Sequence, residues 1–168
     1  MEKVLTKKLT VEEAKKKKTD EINNWTNNKI EICEPWIEDQ QKVQSILLKR
    51  GGIYDCELGE NIGSEMCGKH PVLVVSRDIL AQTSGDVLVI PLSTKFKTKK
   101  NKKNKTIAKY ANHMILWKSE FPFLRENSAV KAELLRCVSK SRIGTYWGDL
   151  TPKQVEMVLT RLDFACGR

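Results

Sequence analysis

Histidine is scarce in this chain, two residues in 168, and none of the five cysteines stands in a C-x-x-C pair. Cys33, Cys56, Cys67, Cys137 and Cys166 are odd in number and widely scattered. That pattern argues against a disulfide framework and for reduced thiols. Cys67 and His70 do stand at C-x-x-H spacing, but a zinc site needs more ligands, for which Cys56 and His113 are the obvious candidates. Structural zinc sites normally present two close ligand pairs, so no metal is expected, and nothing points to another cofactor. Long apolar runs are missing too, and no membrane-spanning helix is expected. Met1–Lys8 lacks the apolar stretch of a signal peptide, so the expected location is the cytoplasm. No internal repeat is visible.

Positive charge is what the chain has in excess. Thirty Lys and Arg stand against 21 Asp and Glu, a formal charge of +9. Such an excess favours a polyanionic partner, nucleic acid ahead of membrane. The length suits one domain with an appendage and supports a real core.

Residues 1–48 read as a helical N-terminal extension and residues 49–168 as the main domain. Val11–Lys18 is helix-prone with Thr10 as its cap, after which Ile22, Trp25, Ile30 and Ile32 recur sparsely. A second helix is expected from Pro35 to Leu48, with Pro35 in the first turn and Ile37, Val43, Ile46 and Leu47 near one face. So narrow an apolar stripe packs on the main domain or on a second copy. The segment reads as a structural extension or as a partner-binding or regulatory arm. Strands are expected at Ile53–Leu58, Pro71–Ser76 and Val87–Leu92, short runs rich in β-branched residues. The last two are apolar almost throughout, as strands of a small barrel or tightly curled sheet are. Ala81–Asp86 reads as the turn between them. Thr94–Lys109 is nearly a lysine tract without apolar periodicity, and a mobile loop is expected there. His113–Trp117 alternates, with His113, Ile115 and Trp117 on one face. Phe121–Leu124 reads as a turn with apolar anchors. Ser128–Val138 reads as a strand interrupted by charge, with a helix left open at Leu134 and Leu135. The C-terminal helix is clearest: Thr151 as cap, Pro152 at the first position, Gln154 completing a capping box, then Val155, Val158, Leu159 and Leu162 at helical spacing, with Gly167 at the end.

Chemistry gathers where these segments end. His70 follows a glycine-rich polar loop, and unperturbed imidazole titrates near pH 6.5, so it suits proton transfer; it also fits a plain strand-edge histidine. Ser93 and Thr94 close an apolar strand and suit hydrogen bonds to a phosphate, or simply terminate it. The lysine tract, with Lys95 and Lys97 nearest the hydroxyls, either solubilises the surface or concentrates a phosphodiester chain. Trp117, Tyr146 and Trp147 are candidates for base stacking or for the core. Ser64, Glu65 and Met66 lie on a loop suited to ligand gating.

Several segments in order resemble the MazF/PemK family of toxin ribonucleases from bacterial toxin–antitoxin systems. Arg50-Gly51-Gly52-Ile53-Tyr54 is like the family's opening strand, and Gly63-Ser64-Glu65 with Pro71-Val72-Leu73-Val74-Val75-Ser76 is like its "GSEQ…RPVLV" segment. Ile90-Pro91-Leu92-Ser93-Thr94 is similar to the "PLT" strand end, and Lys131 to Gly144 parallels "EQIRTIDKQRLG". The likeness covers roughly residues 49–165.

The resemblance implies an α+β fold, a small SH3-like barrel with a C-terminal helix, and a homodimer with a cognate antitoxin. It implies metal-independent cleavage of single-stranded RNA to a 2′,3′-cyclic phosphate and a 5′-hydroxyl. The family's catalytic arginine and threonine fall on His70 and Ser93, with Thr94 adjacent, and a glutamine of some members falls on Leu134. His70, Ser93 and Thr94 are thus the candidate catalytic residues. Ser64, Glu65, Lys69, Lys95, Lys97 and Arg136 are the candidate RNA contacts, and no residue is assigned to a metal. The alternative is a catalytically impaired module that binds RNA or a protein without cutting. A further possibility is that residues 1–48 lie where an antitoxin peptide would.

Overall fold

The computed structural model describes residues 9–168; Met1–Lys8, the stretch read for a signal peptide, lies outside the described residues. Helix α1 (Val11–Glu38) starts at the expected capping box, with Glu13 N–H donating to Thr10 Oγ1 at 3.2 Å and Thr10 N–H to Glu13 Oε2 at 2.7 Å. The expected break before Pro35 does not occur, since α1 runs through it for 28 residues. Proline there removes one N–H bond and its ring crowds the carbonyl of Glu31, yet the helix continues for the three residues that remain to Glu38. The Pro35 carbonyl still accepts from Asp39 N–H at 3.1 Å. Asp39 then caps the short α2 (Gln40–Gln44) through Lys42 N–H.

The strands are β1 (Gly52–Glu57), β2 (Lys69–Val74), β3 (Asp86–Ser93), β6 (His113–Leu116), β7 (Ser128–Lys131), β8 (Arg136–Ser139) and β9 (Ile143–Asp149). They form one antiparallel seven-stranded sheet in the order β6-β7-β3-β2-β1-β9, with β8 also beside β3. Among the described residues the sheet does not close into a barrel: β6, β8 and β9 each pair on one side alone. It is curled nonetheless, because Ile53 of β1 and Leu116 of β6 share one core with Val155 and Val158 of α4 (Pro152–Ala165).

Strand alternation sorts the residues between two cores. Ile53, Leu73, Ile90, Leu92, Met114 and Val130 face the α4 side. Tyr54, Cys56, Val72, Val74, Val87 and Val89 face the other, packed with Leu48, Ala81 and Val138. Residues buried on both faces explain why β2 and β3 read as unbroken apolar runs.

Two expectations are revised. Ala81–Thr83 belongs to a short helix, α3 (Asp78–Thr83), whose buried Ala81 packs on the second core. Within the lysine tract, β4 (Thr98–Lys100) pairs with β5 (Thr106–Ala108) as a hairpin. Backbone bonds hold it, and Asn101 Oδ1 accepts from both Lys103 and Lys105 N–H at 2.9 Å, so no apolar periodicity announces it. Ser128–Val138 is two strands joined by a 3-10 turn at Ala132–Leu134. The capping box of α4 forms as read, with Gln154 N–H donating to Thr151 Oγ1.

Candidate active site

Strand register brings the candidate residues toward one place. β2 pairs with β3 through Val74–Val89, Leu73–Ile90 and Val72–Pro91. The pairing ends there; extended by two residues, the same register would set His70 opposite Ser93. Both share the face of Val72 and Val89, at the end where the apolar cover stops. Arg136 stands opposite Val89 on β8 and shares that face. Lys131 stands opposite His113, two residues from Ala129, the partner of Ser93. The three residues of the 3-10 turn shift the register between β7 and β8, and that shift is what puts both Lys131 and Arg136 on this face.

His70 is half-buried, while Ser93 is 8% exposed and Thr94 is exposed. Burial lowers the His70 pKa below its ordinary value; Lys95 and Lys131 act in the same direction, against the Cys67 backbone and Glu57. The imidazole is therefore neutral at pH 7, the form that accepts a proton. The Ser93 hydroxyl is fixed by its own turn, accepting from Lys95 N–H at 3.1 Å. That bond ties the first lysine of the tract to the strand end.

The other expected contacts spread further. Ser64 and Glu65 are exposed on the 58–68 loop, next to Gly63 at φ +65°. Gly59 and Gly68, also at positive φ, close the loop through Gly68 N–H to Gly59 O at 2.9 Å. Lys69 alternates to the face away from His70 and pairs with Asp55 at 3.3 Å. Lys95 and Lys97 are exposed beyond Ser93. Leu134 lies on the 3-10 turn and offers no side-chain hydrogen bond.

Among the described residues no three His, Cys, Asp or Glu side chains converge as a metal site. Burial raises the Cys56 thiol to about 12, so it carries no thiolate. Cys67 Sγ accepts from Asn61 N–H at 3.3 Å inside the loop.

Three features escaped the sequence reading. Arg142 donates to Glu57 O at 3.0 Å and lies 5.5 Å from the Trp25 ring of α1. Trp25 itself covers Gly59, where a Cβ would meet its ring at 2.8 Å. His113 is buried at 7% exposure, with Nε2 2.8 Å from Glu133 Oε1. Only its alternation with Ile115 and Trp117 hinted at an inward face.

The described helices include none long and apolar enough to cross a membrane. The chain is 26% identical over 121 residues to an endoribonuclease MazF of Staphylococcus saprophyticus, covering 72% of this chain and 92% of that protein. It is 28% identical over 98 residues to the endoribonuclease EndoA of Bacillus subtilis, covering 58% and 76%. A solved mycobacterial endoribonuclease in complex with its cognate antitoxin matches with a TM-score of 0.54 at 25% identity, over 71% of this chain and 95% of that one. The model of the PemK-like, MazF-like toxins of type II toxin–antitoxin systems matches residues 49–165, and the chain belongs to that family.

Proposed function

We propose that this chain is a toxin endoribonuclease that cuts single-stranded RNA without a metal, leaving 2′,3′-cyclic phosphate and 5′-hydroxyl ends. The observation that supports the reading is the β2–β3 register, paired as far as Val72–Pro91; extended two residues it would set His70 opposite Ser93, on the face that pairing gives to Arg136 and Lys131. Neutral His70 takes the proton of a ribose 2′-hydroxyl as that oxygen attacks the adjacent phosphorus. The 5′-oxygen leaves and is protonated by solvent, to which the imidazolium returns its own proton. Thr94 and the Ser93 turn hold the phosphate, and Arg136 balances the charge that builds on its oxygens. Ser64, Glu65, Lys95 and Lys97 guide the strand; Lys69, turned to Asp55, joins them only from the far side of the loop.

Residues 49–168 form the catalytic domain in this reading and residues 1–48 its helical extension. The partners are single-stranded RNA, a cognate antitoxin, as the mycobacterial relative's name states for that protein, and a second copy of the chain. The site of action is the cytoplasm.

Digestion of mixed-sequence RNA in EDTA, followed by end-group analysis, tests the chemistry and its metal independence together. Cyclic-phosphate ends are expected, and His70→Ala should lower kcat by roughly 100-fold or more with unfolding unchanged. Intact RNA with salt-sensitive binding would make the chain a binding module and defeat the nuclease reading.

The pH profile carries a sign. The base works when neutral and its pKa is lowered, so kcat/KM should hold level down to about pH 6.5 and fall only below it. Lys131→Gln removes a cation that depresses this pKa, and should move the acid limb upward. A limb that rises toward acid would assign His70 a different role.

A further inference from the structure

Beside the reaction site an open cavity of about 350 Å³ is lined by Lys95, Phe96, Lys97, Tyr110, His113 and Lys131. Its charge is of one sign. None of the three lysines is in an ion pair among the described residues. Glu133, which adjoins the lining through His113, is engaged by His113 Nε2 at 2.8 Å and by Asn112 Nδ2 at 2.7 Å. Tyr110 is 44% exposed yet stands edge-on to the buried His113 ring, with centroids 5.3 Å apart. His113 Nδ1 is buried and has no hydrogen-bond partner. A buried ring nitrogen without a partner is rare and costly in a folded protein, so His113 Nδ1 is a polar atom of the cavity lining with its bonding capacity unused. Two of its lining residues adjoin the candidate site: Lys95 N–H is bonded to Ser93 Oγ, and Lys131 stands two residues from Ala129, the partner of Ser93.

We infer that this cavity is a nucleotide subsite of the RNA groove, in which a base stacks on Tyr110 beside Phe96 and its phosphate is held by Lys95, Lys97 and Lys131. A base has a π-face whatever its identity, and lysines read phosphate as point charges, so the subsite takes any nucleotide next to the scissile one. The His113–Glu133 pair acts as a positioning element: it fixes the ring on which Tyr110 rests and holds the Glu133 carboxylate in a hydrogen bond. The inference rests on the proposed function for its ligand class.

The test is binding rather than cleavage. A fluorescent mixed-sequence 12-mer of 2′-O-methyl RNA cannot be cut and reports affinity alone. Tyr110→Ala should weaken it roughly tenfold with the salt slope unchanged, while Tyr110→Phe keeps the ring and restores affinity. Lys131→Gln should reduce the slope of log affinity against log salt by about 0.7, one phosphate of a single strand. Affinity and slope unchanged in both variants would overturn the subsite, as would a parent protein that does not bind the 12-mer. A parent that binds, with variants that weaken as stated, but leaves ordinary RNA uncut, supports the subsite and removes the nuclease reading. Ordinary RNA cut normally by a parent whose variants bind unchanged removes the subsite alone.

Discussion

In the sheet, Ile53, Val72, Leu73, Val74 and Val89 are all fully withdrawn from solvent, whereas not one of the 28 residues of α1 is buried. The contrast follows from patterning. β2 and β3 place apolar groups on both faces and are covered on both, while α1 offers Trp25, Ile32 and Trp36 along one line of its surface. Burial of each large side chain contributes about 1.5–3 kcal/mol, so stability is concentrated in residues 49–165. The helix is held at points: Trp25 on Gly59 and Arg142, Trp36 on Gly85, Lys18 on Glu60. A segment fastened this way leaves the fold nearly intact when a contact is lost, but changes whatever it touches.

The largest expected effect lies in the sheet. Leu73→Ala should destabilise the protein by about 3 kcal/mol, as truncation of a closely packed leucine leaves a cavity. Ile37→Ser, on the exposed flank of α1 at 76% exposure, should stay within about 0.5 kcal/mol. Urea denaturation of the two variants measures the contrast directly. Equal costs would show that the helix buries far more than its exposure indicates.

Lys140 joins the two regions and comes next in size. It is fully buried, and Nζ donates to Gln44 O at the end of α2 at 2.7 Å. Burial pulls its pKa down, because the cation has left water for a single carbonyl. Lys140→Ala should cost about 2 kcal/mol, through the cavity and the unpaired carbonyl together. Loss of the α2 contact should appear as faster proteolysis between residues 39 and 48. Stability equal to the parent would mean that desolvation of the ammonium had offset its bond.

These elements differ in how far the sequence disclosed them. The capping boxes at Thr10 and Thr151 involve residues three apart, and short-range chemistry of that kind is readable along the chain. The apolar runs of β2 and β3, and His70 and Ser93 at their ends, were legible from period and from likeness to the toxin family. The continuous α1 was not, because proline is read as a start signal and here stands inside the helix. The β4–β5 hairpin is written in backbone bonds, which leave no side-chain pattern. The His113–Glu133 pair joins residues 20 apart through the turn after β7, and only the fold brings them together. Arg142 on Trp25 likewise needs both regions in place.

The sharpest test of the comparison concerns the seam at Gly59. Its φ of +83° favours glycine, and an added Cβ would meet the Trp25 ring at 2.8 Å. Gly59→Ala should therefore cost about 1–2 kcal/mol in backbone strain and also lift the helix. Trp25→Ala should cost less, about 1 kcal/mol or below, and speed hydrogen exchange at residues 59–68 while the amides of β2 and β3 keep their protection. In the double variant the strain persists but the clash is gone, so the two costs should fall short of adding by a few tenths of a kcal/mol or more. Additive costs, or exchange that rises across the strands as well, would mean that α1 is part of the same cooperative unit as the sheet rather than a strap across its loop.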